Sequence, residues 1–140
     1  MLGGVVVEKG HDAQAQAGVG ADLAGEHDAG VSGAPVTDFR LYDTIYTERY
    51  LGLPKDNAEG YEQTSLLPEA GNLKGDLMII HNFQDDNVLF QNTLRMADAL
   101  QKANKQFEMM VYPQKTHGVT GAAKTHLYET IVGFFERKLE

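Results

Sequence analysis

The sequence predicts an α/β fold built on parallel strands. Three observations carry that expectation. A continuous apolar run at residues 77–80 is bounded by turn-forming or polar residues, as in a strand covered on both faces, and a second, mostly apolar run lies at 107–112. Two stretches with apolar residues three and four apart, 90–103 and 127–135, follow them, as in helices buried on one side. The resulting order, strand–helix–strand–helix, is by default a parallel crossover arrangement.

Each element has its own justification in chain order. Residues 1–34 hold 15 Gly or Ala and no aromatic residue, whereas all six Tyr and six Phe lie in 35–140. A Gly/Ala-rich stretch without aromatics has little to bury against the entropy of ordering it. The expected division is therefore a poorly ordered segment, 1–29, and a globular segment, 30–140. Val5-Val6-Val7 is at most a short strand. Residues 31–36 form an apolar run containing Pro35, a candidate strand. Phe39, Tyr42, Tyr46 and Tyr50 are spaced 3, 4 and 4 apart, which lines one helical face, with Tyr50 expected to be buried. Gly52 and Pro54 stop that helix. Leu77-Met78-Ile79-Ile80 begins just after Gly75 and reads as a buried strand. Phe90, Leu94, Ala97 and Leu100 mark the inner face of a helix. The run from Phe107 to Tyr112 is a second strand, stopped by Pro113. Leu127, Tyr128, Ile131, Phe134 and Phe135 mark one face of a last helix, and Arg137 and Lys138 suit its C-terminal dipole.

Composition narrows the function. The 140 residues carry 12 Lys+Arg against 20 Asp+Glu, a net charge of −8, and 42% are hydrophobic. The acidic balance disfavours phosphate-tracking nucleic-acid binding and anionic membrane surfaces. No window holds about 18 consecutive apolar residues, so no membrane-spanning helix is expected. Cysteine is absent, which excludes disulfides, thiol nucleophiles and Cys-ligated zinc. The first residues do not match a signal peptide, since no basic residue precedes their short apolar run. The five histidines lack zinc-binding spacing, and the glycines near the start do not form a phosphate cradle, so neither metal nor cofactor is expected.

Chemistry is expected where open parallel sheets place it, beyond the carboxyl ends of the strands. Two polar clusters fall there: His81-Asn82-Phe83-Gln84-Asp85-Asp86-Asn87-Val88 after the first strand, and Pro113-Gln114-Lys115-Thr116-His117-Gly118 after the second. An acid after one strand and a histidine after the next can meet above the sheet. That is the acid–His half of a nucleophilic triad in the order used by α/β-hydrolases. The acid would hold the imidazole tautomer, and the histidine would take the nucleophile's proton. Spacing alone leaves a second reading open, in which Asp-Asp-Asn caps the following helix and His117 is a loop residue.

The residues also carry a resemblance. Ala34-Pro35-Val36-Thr37-Asp38-Phe39-Arg40-Leu41-Tyr42-Asp43-Thr44-Ile45-Tyr46-Thr47-Glu48-Arg49-Tyr50-Leu51-Gly52-Leu53-Pro54 closely resembles the catalytic domain of the prolyl oligopeptidase family, in its dipeptidyl peptidase IV-like branch. So do Asp85-Asp86-Asn87-Val88 with Phe90-Gln91, and Tyr112-Pro113 through His117-Gly118. The resemblance covers about residues 29–140 and implies an α/β-hydrolase fold. It implies a serine peptidase that cuts short peptides, often after proline, with Asp85 as triad acid and His117 as general base. Asp86 would then support the turn or cap the next helix. Tyr42 and Tyr46 match the two tyrosines of the proline pocket, Asn87 a substrate-contacting asparagine, and Val88 a pocket-lining residue. Three positions depart from the family's usual pattern. His81-Asn82-Phe83-Gln84 stands where His-Gly-Thr is usual, Phe39 where Trp is common, and Leu89 where His is common.

A serine on a sharp strand-to-helix turn, Gly-x-Ser-x-Gly, is the part not found. The chain has two serines, Ser32 and Ser65. Gly30-Val31-Ser32-Gly33-Ala34 superficially resembles the elbow, but the family comparison makes Ser32 buried scaffold. The abrupt loss of resemblance before about residue 29 suggests an N-terminal segment outside the family, through an out-of-frame start or a truncated gene. The expected partners are a peptide substrate, the nucleophile-bearing part of the catalytic domain and a preceding β-propeller. Two alternatives remain: a non-catalytic α/β fragment or interaction module prone to self-association, and an esterase using Ser32.

Overall fold

A computed structural model describes residues 29–139. The expectations for residues 1–28 lie outside them. Three strands, β1 (Ala29–Gly33), β2 (Asp76–Asn82) and β3 (Glu108–Tyr112), form one parallel sheet in the order β1-β2-β3. Four helices accompany them: α1 (Thr44–Leu51), α2 (Ala58–Gln63), α3 (Gln91–Lys102) and α4 (Ala122–Lys138).

The alternation of side chains along a strand explains two separate clusters. Met78 and Ile80 of β2 point to one face, where Ala29, Val31, Tyr112 and Phe134 of α4 cover them. Ile79 points to the other, against Met96 and Leu100 of α3 and against Ala70 and Leu73. β2 is thus covered on both faces, which is why its sequence is a continuous apolar run. Leu100 and Phe134 are completely buried, and each such side chain contributes about 1.5–3 kcal/mol. At the far end of the sheet from its carboxyl edge, Lys138 pairs with Asp76 at 2.8 Å and Arg137 with Glu108 at 2.8 Å. These exposed pairs contribute at most about 1 kcal/mol each.

Several local expectations are corrected. The strand expected over 31–36 is β1, two residues earlier. Gly33 ends it, and Ala34 takes a positive φ of 46° while its N–H donates to the Ile80 carbonyl at 2.8 Å. The aromatic stretch is not one helix. A 3-10 turn over Phe39–Leu41 ends at Tyr42, whose backbone is extended, and α1 starts afresh because the Asp43 carboxylate accepts from the Tyr46 N–H at 2.8 Å. Tyr50 is 67% exposed, not buried. Gly52 ends α1 as expected, at a φ of 71° that suits glycine.

In α3 the buried face is Asn92, Thr93, Met96, Ala97 and Leu100, whereas Leu94 lies outside and is 51% exposed. Two polar residues take the inner positions because each has a hydrogen-bond partner there. Tyr128 of α4 is likewise exposed.

Candidate active site

The site lies beyond the carboxyl ends of β2 and β3, and the backbone joins the two loops there. The Phe83 N–H donates to the Tyr112 carbonyl at 3.0 Å and the Gln84 N–H to the Lys115 carbonyl at 3.1 Å. The Asn82 side-chain amide adds a bond to the Thr116 carbonyl. These ties fix residue 85 against residue 117.

Asp85 and His117 meet. His117 Nδ1 lies 2.9 Å from Asp85 Oδ2 and 3.2 Å from Oδ1. The Asp85 side chain is fully buried, while that of His117 is 27% exposed. Asp85 Oδ1 also accepts the backbone N–H groups of Asn87 at 3.0 Å and Val88 at 2.9 Å. The turn-capping and acid readings of this residue are therefore compatible, one oxygen capping the turn and the other facing the imidazole. Asp86 is exposed. A carboxylate fixed by two backbone donors cannot rotate away from His117, and it favours the tautomer with the proton on Nδ1 and the lone pair on Nε2. Among the described residues, Nε2 of His117 makes no hydrogen bond.

The tyrosines come together with Asn87. The Tyr42 hydroxyl donates to Asn87 Oδ1 at 3.1 Å, and its ring meets Tyr46 edge to face at 5.6 Å. Burial raises the Tyr42 pKa, helped by the charge of Asp43, the neighbouring Tyr46 and the charge of Asp85, so the phenol stays a donor. Val88 is 1% exposed, and its backbone N–H and carbonyl carry two of the bonds that shape the site.

Sequence reasoning missed two supports. Thr37 and Asn92 form a buried knot. The Thr37 N–H donates to Asn92 Oδ1 at 3.0 Å, the Thr37 hydroxyl to the Asn92 carbonyl at 2.9 Å, and the Asn92 amide to the Leu89 carbonyl at 3.1 Å. This ties the segment leading to Tyr42 onto the start of α3. One residue on, buried Asp38 binds the Arg40 guanidinium at 2.7 Å, and Arg40 reaches Glu62 of α2. The other missed support is His81, fully buried at the end of β2. A histidine ending an apolar strand just before the acid was the available signal.

Neither serine sits on an elbow. Ser32 lies within β1, in register with Ile79. Ser65 is buried beside Asp38, to which its hydroxyl is 3.5 Å. Among the described residues no group of three His, Asp or Glu is placed to hold a metal ion, and no helix is long and apolar enough to cross a membrane.

Comparison with known proteins accounts for this arrangement. The family model for the prolyl oligopeptidase family matches residues 22–140. The chain belongs to the prolyl oligopeptidase family. Its relatives include dipeptidyl peptidase family member 2 of Caenorhabditis elegans, 41% identical over 105 residues, which are 74% of this chain and 12% of that protein. Venom dipeptidyl peptidase 4 of Vespa velutina is 40% identical over 117 residues, 81% of this chain and 15% of that protein. The crystal structure of Porphyromonas gingivalis dipeptidyl peptidase 4 superposes with a TM-score of 0.79 at 41% identity, over 82% of this chain and 16% of that one. The sheet and its helices are thus those of a dipeptidyl peptidase 4-like α/β-hydrolase domain. The chain spans about an eighth to a seventh of the length of the curated relatives it matches.

Proposed function

We propose that this chain carries the acid and base of a prolyl oligopeptidase-family serine peptidase that hydrolyses short peptides, often after proline. One observation carries the reading: Asp85 faces His117 Nδ1 at 2.9 Å while its other oxygen is held by two backbone N–H groups. His117 Nε2 takes the proton of a serine hydroxyl as that oxygen attacks the peptide carbonyl. The same nitrogen returns the proton to the leaving amine, and an acyl-enzyme remains. Water then attacks by the same route. Asp85 stays ionised throughout and stabilises the imidazolium.

Tyr42 and Tyr46 offer aromatic faces to a proline ring, and Asn87 contacts the substrate; Val88, assigned to the pocket lining by the resemblance, is buried and supports that pocket from below. The nucleophile comes from a part of the catalytic domain other than residues 29–139, since Ser32 is inside a strand and Ser65 is buried. The 140-residue chain alone is therefore inactive. A chimera tests the reading: residues 29–140 replace the matching segment of the Porphyromonas gingivalis protein. The chimera is expected to hydrolyse a Gly-Pro-anilide and to lose that activity with His117→Ala. An inactive but folded chimera overturns the reading, and so does His117-dependent fluorophosphonate labelling of the chain alone.

A further inference from the structure

The mechanism leaves one titratable group without a role, the buried imidazole of His81. Its two nitrogens have different partners. Nε2 lies 2.8 Å from the Val88 carbonyl and 3.5 Å from Asp85 Oδ2. Nδ1 lies 2.6 Å from the Thr93 hydroxyl on α3. A carbonyl only accepts, so Nε2 must carry a proton; Nδ1 then accepts from the Thr93 hydroxyl. Every hydrogen-bonding site of a neutral imidazole is satisfied.

Phe90 packs edge to face on the ring at 5.4 Å, closing it from water. The charged or titratable groups acting on the ring are Asp85 from its own loop and His117 from the loop after β3; α3 contributes only the Thr93 hydroxyl. Burial lowers the His81 pKa against the pull of the Val88 carbonyl and Asp85, so the ring stays neutral.

The Val88 backbone therefore sits between the acid and this ring. Its N–H binds Asp85 Oδ1, and its carbonyl binds His81. We infer that His81 is a positioning residue for the acid: its single Nε2 proton, bound to the Val88 carbonyl and 3.5 Å from Asp85 Oδ2, anchors the turn that aims Asp85 at His117. The inference rests on the Asp85–His117 reading above and adds a third residue to it. Asp85 is held by two backbone donors in its own turn, and that turn is held by a side chain rooted in the sheet.

Proton and nitrogen NMR on the 140-residue chain test this without needing turnover. A His117 Nδ1 proton bound to a carboxylate gives a far-downfield resonance. That resonance is expected in the wild type, lost in His81→Phe, and retained in His81→Gln, whose amide can replace the Nε2 donor. Thr93→Val, which removes the hydroxyl that fixes the tautomer, is expected to weaken it. In the wild type, the His81 nitrogen shifts are expected to report a neutral ring with its proton on Nε2 across about pH 5.5–8.

An unchanged His117 resonance in a folded His81→Phe variant overturns the inference. If that variant does not fold, the wild-type nitrogen shifts decide alone, and a charged ring or an Nδ1 proton on His81 overturns it. A resonance that survives Asp85→Asn instead overturns the acid–base reading itself.

Discussion

Two substitutions at Asp85 separate its structural role from its chemical one. Asp85→Ala removes the acceptor for three N–H groups: Asn87 N, Val88 N and His117 Nδ1. Asn87 is exposed and His117 is partly so, and both recover water. Val88 is 1% exposed, and its N–H is left without a partner. One buried orphan donor costs about 1–3 kcal/mol, and relief of the buried charge offsets part of it. Asp85→Asn keeps an acceptor oxygen for both backbone donors and should cost less than half as much.

With a urea slope of about 1–3 kcal/mol per molar, the midpoint of the chain falls by about 1 M for the alanine variant and by less than half of that for asparagine. Activity in the chimera reads the chemical role instead. The amide cannot stabilise an imidazolium and favours the wrong His117 tautomer, so kcat falls about 10⁴-fold, the effect of the same change in other Ser-His-Asp triads. Urea unfolding by circular dichroism and steady-state hydrolysis read the two quantities. Equal destabilisation by the two substitutions refutes the backbone-anchor reasoning. Activity of the asparagine variant within tenfold of wild type refutes the acid.

Asn92→Ala should destabilise the chain by about 1–3 kcal/mol, because Thr37 is buried and loses the acceptor of its N–H; a midpoint shift under about 0.3 M in urea would contradict this. Tyr42→Phe deletes an exposed hydrogen bond to Asn87 and should leave stability within about 0.5 kcal/mol while raising KM of the chimera for proline substrates; an unchanged KM counts against the pocket. Stability should begin to fall as pH drops through about 6.5, since the unfolded chain protonates His81 there and the folded chain, with its pKa lowered by burial, does not. His81→Gln should flatten that slope in thermal melts across pH 5–7. A second loss should come below about pH 4: burial raises the Asp38 pKa, but the Arg40 hydrogen bonds and charge outweigh it and hold it below the usual value. Asp38 thus stabilises above its unfolded pKa and loses that contribution as acid protonates it; Asp38→Asn should remove this second step.

The strands β2 and β3 were legible because both faces of β2 are covered, which leaves a plain apolar run in the sequence. The meeting of Asp85 and His117 was legible for the same reason: polar clusters at the ends of such runs have few other places to be. The helix faces were less so. Leu94 was expected inside α3, yet Asn92 and Thr93 take the inner positions, since their bonds to Thr37 and His81 come from chain segments 55 and 12 residues away. No periodicity records a partner that distant. The regular spacing of Phe39, Tyr42, Tyr46 and Tyr50 concealed a break, because the Asp43 cap restarts the helix without disturbing the spacing. The rings still meet in series, Phe39–Tyr42 at 6.5 Å and Tyr46–Tyr50 at 4.8 Å.

The pairing of β2 with β3 sets the distance between acid and base as a ruler would. Asn82 stands opposite Tyr112 at the last rung, with the acid three residues beyond one end and the base five beyond the other. A slip of two residues would preserve which side chains face each helix, but it would carry His117 about 6.6 Å along the sheet, out of reach of Asp85. A slip of one would turn Met110 from the α4 side to the α3 side. Packing therefore guards against odd slips, and the bonds from residues 82–84 to Tyr112, Lys115 and Thr116 guard against even ones. Substitutions that weaken those cross-loop bonds are the ones to expect to leave a folded sheet in which Asp85 and His117 no longer meet.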